Sequence, residues 1–214
     1  MQRSLVGSEM CIRDRYWAID RCARIIKEGA SFKEVTKGDL TEVEGCIAQA
    51  YAIKALCSFY LTNMFGLPYS EANKTTLGIV NVTEPVPAYS QVSRVSVEQN
   101  YSLILDDITK AKEYYAKEGV ENVGKQYMNT AAVAALEARV KLYMKNYEGA
   151  ITAAQEAITL SGGTIVSTKE DYKNMYTTLA VSTEDIFFIA KAEDDYLSAN
   201  ALNTLWNKYG LSIN

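Results

Sequence analysis

The chain has 214 residues, of which 48% are hydrophobic and 22% are charged, so it can build one large domain or two small ones around a real core. The net charge of -4 disfavours a nucleic-acid surface, because phosphate binding needs clustered lysine and arginine. Histidine is absent, which removes the commonest general base and the commonest metal ligand. The four cysteines form no CxxC pair; we interpret them as small buried hydrophobic residues and predict no metal and no cofactor.

The segment Ser4–Arg15, "SLVGSEMCIRDR", raises the question of an export or lipid-attachment signal, because Cys11 follows small and apolar residues. A lipobox needs an apolar run and small residues directly before the cysteine, after a basic start. Here Glu9 and Met10 precede Cys11, and there is no apolar run. The segment is therefore not a lipobox, and we assign Cys11 no function.

The same segment has a different explanation at the level of codons. Translated backwards, Leu5–Asp14 fits the codons of a transposon-type sequencing adapter. We therefore interpret residues 1–15 as adapter-derived rather than native, and expect them to be disordered or packed arbitrarily. Residues 16–214 are then interpreted as one helical domain.

Two helices are predicted in the first third of the chain. Apolar residues recur at helical spacing over Tyr16–Lys27, and Gly29 is predicted to end this helix. Thr41 and Glu44 have the spacing of a capping box, in which each side chain satisfies a free backbone N–H at the helix start. The helix that follows is apolar on most of its circumference, which predicts deep burial.

The stretch 67–95 has no clean period and contains all three prolines of the chain. A loop of this length in a compact domain is usually functional or a wrapped irregular segment. Ser96 and Gln99 then form a second capping-box pattern, which opens an amphipathic helix predicted over 97–118.

The most informative stretch is Asn129–Gly163, which predicts two helices joined by a tight turn near Lys145–Asn146. Alanines at spacings of three and four residues line both helices and allow close approach. This is the pattern of a tetratricopeptide hairpin, which cannot bury its face alone and needs stacked neighbours. The β-branched and aromatic run over 184–192 predicts a short strand. The predicted fold is therefore all-α, a tetratricopeptide-like right-handed helical hairpin array with long loops and a short strand near the C-terminal end.

Adjacent carboxylates at 106–107, 184–185 and 194–195 raise the question of acid–base chemistry, since glycosidases use two carboxylates around the scissile bond. Asp106 and Asp107 are neighbours on a helix, so their side chains point about 100° apart and cannot face one substrate. We interpret Asp106 and Asp107 as solvated helix charges. The sequence predicts no catalytic residue and no enzyme activity.

Aromatic residues outside the regular helices are the candidates for ligand binding. Sugars stack on flat aromatic faces that carry a polar handle, so tyrosine and tryptophan in loops fit a carbohydrate platform. The alternative is that these side chains pack the loops onto the helical scaffold. The candidates are Tyr69 and Tyr89 in the long loop and Tyr172, Tyr176 and Trp206 in the C-terminal third.

The order of five motifs resembles the SusD/RagB family of outer-membrane nutrient-binding lipoproteins. The motifs are "YWAIDRCARII", "EGCIAQAYAIKALCSFYLTNMFGLPYS", "GIVNVTEPVPAYSQVSRVSVEQNYSLILDDITKAKEYY", "AAVAALEARVKLYMKNYEGAITAAQEAI" and "DYKNMYTTLAVSTEDIFFIAK". Each motif alone is weak, and their common order is fairly specific. The sequence departs from the family pattern at Lys54, where arginine is usual, and at Cys22 or Ala23, where asparagine is common.

The resemblance implies a non-catalytic, surface-exposed protein with a tetratricopeptide-like fold, lipid-anchored to the outer face of the outer membrane. It implies binding of an oligosaccharide or another polymeric nutrient, and a TonB-dependent, SusC-like transporter barrel as the partner for which the family acts as a lid. Family members are longer, so the chain is expected to be a fragment that lacks the signal peptide and the lipid-bearing cysteine. The alternative is a tetratricopeptide-like protein-interaction scaffold without a small-molecule ligand, whose inter-helix turns would be short, unlike 67–95.

Overall fold

The fold is described by a computed structural model that covers residues 3–35, 38–177 and 181–190. Within these residues the chain is mostly helical, with one two-stranded sheet, and the predicted all-α, tetratricopeptide-like fold is confirmed. The helices are α1 (Arg3–Val35), α2 (Thr41–Phe65), α3 (Val97–Tyr115), α4 (Thr130–Tyr143), α5 (Tyr147–Ser161) and α6 (Lys169–Thr177), and the strands are β1 (Leu77–Val80) and β2 (Arg94–Ser96).

Neighbouring helices pack in sequence order, α1 on α2, α2 on α3 and α4 on α5. The main core lies between α2, α3 and α4, where apolar burial supplies the driving force for folding. The α4–α5 hairpin has its predicted turn at Lys145, whose φ of 62° is left-handed. The fully buried large side chains of the core include Phe59, Tyr101, Ile104, Ile108, Val133 and Val140, and the buried alanines of the hairpin include Ala131, Ala134, Ala150, Ala153 and Ala157.

Helix α1 is longer than the sequence indicated at both of its ends. It continues through Gly29, so the prediction that this glycine ends the helix is wrong. A Cβ at Gly29 would lie 2.9 Å from Ile47 Cδ1, so the missing side chain lets α1 approach α2 closely. The segment up to Arg15, for which disorder or arbitrary packing was expected, is helical from Arg3 onwards.

The start of α2 differs from the predicted capping box. Thr41 N–H donates to Asp39 Oδ1 at 3.0 Å, and no side chain caps the helix from the N-cap position. Glu44 Oε1 instead forms ion pairs with Lys33 Nζ at 2.5 Å and with Lys117 Nζ at 2.6 Å. The hydrogen bond from Lys117 is the largest of several contributions that lower the pKa of Glu44. The predicted capping box is wrong because the Glu44 side chain pairs with Lys33 of α1 and with Lys117, which lies just after the end of α3.

The sequence did not predict the small sheet inside the loop 67–95. Strands β1 and β2 are antiparallel, with Leu77 opposite Ser96 and an irregularity before Val80. The buried side chain of Asn100 forms hydrogen bonds with the backbone of Ile79 in β1. Ile79 N–H donates to Asn100 Oδ1 at 2.8 Å, and Asn100 Nδ2 donates to Ile79 O at 3.3 Å. Runs of four and three residues are too short to show the period of a strand.

The predicted capping box at the start of α3 is confirmed. Ser96 Oγ accepts from Gln99 N–H at 3.2 Å, and Gln99 Oε1 accepts from Ser96 N–H at 3.2 Å. Both partners lie within one turn of the chain, so the sequence alone determines the contact. The helix itself ends at Tyr115, three residues before the predicted end.

Replacing Ser96 by alanine is expected to lower the free energy of unfolding by about 1 kcal/mol, because a backbone N–H of the first turn loses its acceptor. Urea unfolding followed by circular dichroism measures the change, with the exposed loop residue Ser90 replaced by alanine as the control. An equal effect of the two replacements would contradict the role of the cap.

The segment that leads away from α6 contains no strand in its described part. The short strand predicted over 184–192 is wrong for residues 184–190, which are irregular. Phe188 N–H donates to Lys125 O at 3.1 Å, and the described residues form no ladder there. Ile186 packs its side chain against the main core, whereas Ile189 of the same run is 78% exposed.

Three cysteines have described side chains, and all three are free. Cys22 is buried and Cys57 is half-buried, but Cys46 is exposed, so their interpretation as buried residues is wrong for Cys46. Burial raises the pKa of Cys22 to about 12 and also raises the pKa of Cys57. Both thiols are therefore protonated at neutral pH, which makes them poor nucleophiles and poor metal ligands.

Candidate functional site

The candidate site forms where the chain turns back after α5. Gly162, with a left-handed φ of 58°, ends that helix. The returning segment is then fastened to the outgoing one by two hydrogen bonds. Thr183 Oγ1 donates to Thr164 O at 2.9 Å, and Val166 N–H donates to Glu184 Oε1 at 2.7 Å. These bonds hold residues 164–167 and 181–183 side by side as the walls of a cavity.

The cavity between these segments and α6, which we call the cavity at 164–183, has a volume of about 460 Å³. This volume falls within the usual range for sites that bind small molecules. Hydroxyl, amide and carboxylate groups alternate with apolar side chains around it. The lining residues are Thr164, Ile165, Val166, Ser167, Asp171, Asn174, Met175, Val181, Ser182 and Thr183.

Helix α6 holds its position at the cavity through a cap at its start. Asp171 N–H donates to Thr168 Oγ1 at 3.0 Å, and the Thr168 hydroxyl donates to Asp171 Oδ2 at 2.6 Å. This reciprocal contact fixes the first turn, so the carboxylate of Asp171 is held at the rim of the cavity. A carboxylate in the first turn is also favoured by the helix dipole.

Two of the predicted ligand residues, Tyr172 and Tyr176, come together on α6. They are one helical turn apart, with ring centroids 5.4 Å apart and an interplanar angle of 63°. Their side chains remain 58% and 73% exposed, and their sequence neighbours Asp171 and Met175 line the cavity. The hydrogen bond with Tyr172 is the largest cause that raises the pKa of Tyr176, with smaller contributions from nearby Glu184 and Asp185.

The structure separates the other candidates from this pair. Tyr69 packs edge-on against Tyr101, with ring centroids 5.0 Å apart, at the border of the main core. The side chain of Tyr69 therefore packs the long loop onto the helical scaffold, which is the alternative to ligand binding. Tyr89 is fully exposed in the loop between β1 and β2, with a left-handed φ of 64°. Trp206 lies outside the described residues.

Trp17 is an exposed aromatic residue and one of the apolar residues at helical spacing in the predicted helix Tyr16–Lys27. Its side chain is 57% exposed, and the Arg13 guanidinium lies 5.1 Å from its ring centroid. Ile19, two positions further on, is buried. Residues two apart on a helix point about 200° apart, so this spacing could have shown that Trp17 faces away from the core.

Trp17 lines a groove of about 330 Å³ between α1 and the loop after β1. The Tyr16 hydroxyl at its edge is already used, since it donates to Val80 O and accepts from Val80 N–H, both at 3.1 Å. The remaining lining is almost entirely apolar. The lining residues are Tyr16, Trp17, Asp20, Val80, Val82, Val86 and Val92.

The interpretation of Asp107 as a solvated helix charge is wrong. Asp107 is buried and forms an ion pair with buried Lys54, with Nζ to Oδ1 at 2.9 Å. Burial raises the pKa of Asp107 to about 6, and the nearby ammonium of Lys54 opposes the shift. The pair borders a small cavity of about 30 Å³. This cavity is too small for a sugar, so we interpret the pair as structural.

Neither a metal centre nor a membrane span is found in the described parts of the chain. No group of three or more cysteine, aspartate or glutamate side chains there has the arrangement of a metal site. Across the same described residues, each helix is too short or too polar to cross a bilayer.

Comparison with known proteins defines the class. A family model described as "SusD-like_3: Starch-binding associating with outer membrane" matches residues 15–142, more than half of the chain. The chain belongs to this SusD-like family, as the five ordered motifs had indicated. No curated protein matches the chain.

Solved structures show the same fold. A SusD superfamily protein from Bacteroides thetaiotaomicron has a TM-score of 0.78 and 24% identity, covering 90% of this chain and 41% of its own. A SusD superfamily protein from Bacteroides vulgatus has a TM-score of 0.77 and 25% identity, covering 91% of this chain and 44% of its own. A putative sugar binding protein from Bacteroides vulgatus has a TM-score of 0.74 and 26% identity, covering 87% and 42%. The chain thus spans less than half the length of these structures.

Proposed function

We propose that the chain is part of a non-catalytic glycan-binding subunit of a TonB-dependent outer-membrane uptake complex. In this proposal the cavity at 164–183, together with Tyr172 and Tyr176, contacts the glycan. The observation that carries the proposal is the exposed tyrosine pair beside a polar cavity of about 460 Å³. The description of the family as starch-binding, and of one similar structure as a putative sugar binding protein, supports a carbohydrate ligand.

A sugar needs both an apolar face to stack on and polar groups that reach its hydroxyls. The tyrosine rings offer the first, and Ser167, Asn174 and Ser182 are among the cavity residues that offer the second. The groove at Trp17 offers an aromatic ring but few polar partners, since the Tyr16 hydroxyl is bonded to Val80. The cavity at 164–183 is therefore the better carbohydrate site of the two.

The surface location and the partner are part of the same proposal. The family description associates its members with the outer membrane, which supports a location there. A lipid anchor on the complete protein and a SusC-like transporter barrel as its partner follow from the resemblance of the five motifs. Isolation of the complete protein from outer membranes together with a transporter barrel would test both. Recovery from the cytoplasm without a barrel would contradict them.

Replacing Tyr172 or Tyr176 by alanine is expected to weaken glycan binding by roughly fivefold, because each change removes an aromatic face worth about 1 kcal/mol. Affinity electrophoresis of the 214-residue chain in gels that contain soluble starch or laminarin measures the retardation. Tyr147, an exposed tyrosine on α5, is replaced by alanine as the control. The proposal fails if the unmodified chain binds neither glycan, or if the control weakens binding equally.

A second candidate function is a protein-interaction scaffold, and one observation favours it. The outer face of α5 exposes Tyr147, Ile151 and Ile158, which follow helical spacing. A tetratricopeptide hairpin normally buries such a face against a further helix. Replacing Ile151 and Ile158 by glutamate separates the two functions: a scaffold would lose its partner, whereas glycan retardation would be unchanged.

A further inference from the structure

We infer that the cavity at 164–183 selects neutral glycans over acidic ones and that the carboxylate of Asp171 sets this preference. The inference rests on the proposed function, because it names the class of glycan that the same site accepts. It depends on the charges of the cavity wall and on how they are held.

The cavity wall carries one charged side chain among its described residues. That side chain is Asp171, and the other described lining residues are hydroxyl, amide or apolar residues. A uronate or a sulfate ester in the cavity would therefore lie near the carboxylate of Asp171. The described lining residues include no lysine or arginine that could pair with such an anion. Neutral sugar hydroxyls can donate to the same carboxylate, since an ionised carboxylate only accepts hydrogen bonds.

The carboxylate of Asp171 cannot simply turn away from a ligand. Its Oδ2 accepts from the Thr168 hydroxyl at 2.6 Å, and its backbone N–H donates to the same hydroxyl oxygen. The reciprocal cap restricts the side chain, as a cap does at the start of a helix. This contact uses Oδ2 and leaves Oδ1 as a further hydrogen-bond acceptor on the same carboxylate.

Two further carboxylates reinforce the negative field. Glu184 Oε1 accepts from Val166 N–H at 2.7 Å, and Asp185 Oδ2 accepts from Ser182 N–H at 2.7 Å, which fixes both beside the cavity wall. Both carboxylates also contribute to the raised pKa of Tyr176, so their negative field reaches the pair formed by Tyr172 and Tyr176. They therefore repel an anion at the cavity and also at this tyrosine pair.

The lysines near the site among the described residues do not cancel this field. Lys125 Nζ donates to Ser182 O at 3.3 Å, so this ammonium contacts the backbone of a lining residue. Among the described residues, the charged side chains that line the wall or hydrogen-bond to its backbone are Asp171, Glu184, Asp185 and Lys125, which leaves an excess of negative charge. Lys169 and Lys173 lie on α6 but do not line the cavity. A like charge about 4 Å away in water weakens binding roughly fivefold.

The test compares polymers that share one backbone and differ only in charge. The 214-residue chain is titrated with soluble starch and laminarin and with their carboxymethylated derivatives, at low salt and at about 0.5 M NaCl. The variants are Asp171→Asn, which keeps the shape and the capping oxygen, and Glu170→Gln. Glu170 precedes Asp171 on α6 and does not line the cavity, so its replacement controls for net charge.

The expected result is that the chain binds a neutral polymer at least about fivefold more tightly than its carboxymethylated form. A high salt concentration should reduce the ratio of the affinities for the neutral and the carboxymethylated polymer. At low salt, Asp171→Asn should reduce the same ratio, whereas Glu170→Gln should leave it unchanged. Equal binding of both forms by the unmodified chain, or equal effects of the two variants, would overturn the inference while the proposed function stands. Absence of binding to all four polymers would overturn the proposed function and the inference with it.

Discussion

Replacing Lys54 by methionine is expected to lower the free energy of unfolding by about 3–5 kcal/mol at pH 8, because it leaves a buried carboxylate without its counter-charge. Asp107 is only 9% exposed, and the ammonium of Lys54 lies 2.9 Å from its Oδ1. Methionine has a similar length and remains compatible with the core, so the lost charge dominates the effect. Urea unfolding of the variant and the unmodified chain measures the difference.

The effect of Lys54→Met is expected to depend on pH. Burial raises the pKa of Asp107 from the ordinary 3.8 to about 6, so the folded state holds this proton more tightly than the unfolded state does. This contribution to stability is complete below about pH 4 and is lost as the pH rises through 6. Removing Lys54 raises the pKa of Asp107 further, because the ammonium opposes the shift. The penalty of the variant should therefore be smaller at pH 5 than at pH 8.

Two variants control this prediction. Lys110→Met removes an exposed ammonium that pairs with Glu113 on the same helix, and it should change stability by less than about 0.5 kcal/mol. Lys54→Met combined with Asp107→Leu removes both buried charges and should recover most of the lost stability. A penalty for Lys54→Met that is equal at the two pH values, or a double variant as unstable as the single one, would contradict the role of the pair.

Replacing Gly78 by alanine is expected to lower the free energy of unfolding by at least about 3 kcal/mol, through overpacking and the loss of buried hydrogen bonds. An ideal Cβ at Gly78 overlaps Asn100 Oδ1 and lies 3.3 Å from Val97 Cα. Asn100 is fully buried and cannot move aside without releasing Ile79 N–H, whose acceptor it is. The small sheet and the start of α3 should therefore loosen together, which amide hydrogen exchange at β1 would detect.

Gly45→Ala is the matched control for Gly78→Ala. Gly45 lies inside α2, and a Cβ there would be 3.7 Å from Val120 Cγ1, an ordinary contact. Alanine is the better helix former, so this replacement should raise stability by about 0.5–1 kcal/mol. Equal destabilisation by the two glycine replacements would show that the contact with Asn100 does not decide the effect.

Features that depend on neighbours in the sequence could be predicted, and features that depend on distant partners could not. The Ser96–Gln99 cap and the turn at Lys145 each involve a few consecutive residues, and both were foreseen. Gly29 lies inside α1, where its missing side chain leaves room for Ile47 of another helix. Asp107 is buried because Lys54 on α2 provides its counter-charge.

The candidate site also combines features that the sequence predicts with features that depend on distant partners. Tyr172 and Tyr176 were selected from their residue type and their place outside the predicted helices, and the structure pairs them one turn apart on α6. Tyr69 fulfilled the same criterion, but it packs against the ring of Tyr101 at the border of the core. The cavity beside α6 depends on the contact of Thr183 with Thr164, across a separation that no local pattern records.

Backbone amide NMR during titration with soluble laminarin fragments or starch oligosaccharides shows directly whether the glycan binds at 164–183. We expect saturable chemical-shift changes confined to 164–183, including Tyr172, Tyr176 and Asp171. Changes concentrated at Trp17 and residues 80–92, or on the outer face of α5, would contradict it, and so would the absence of changes with either ligand.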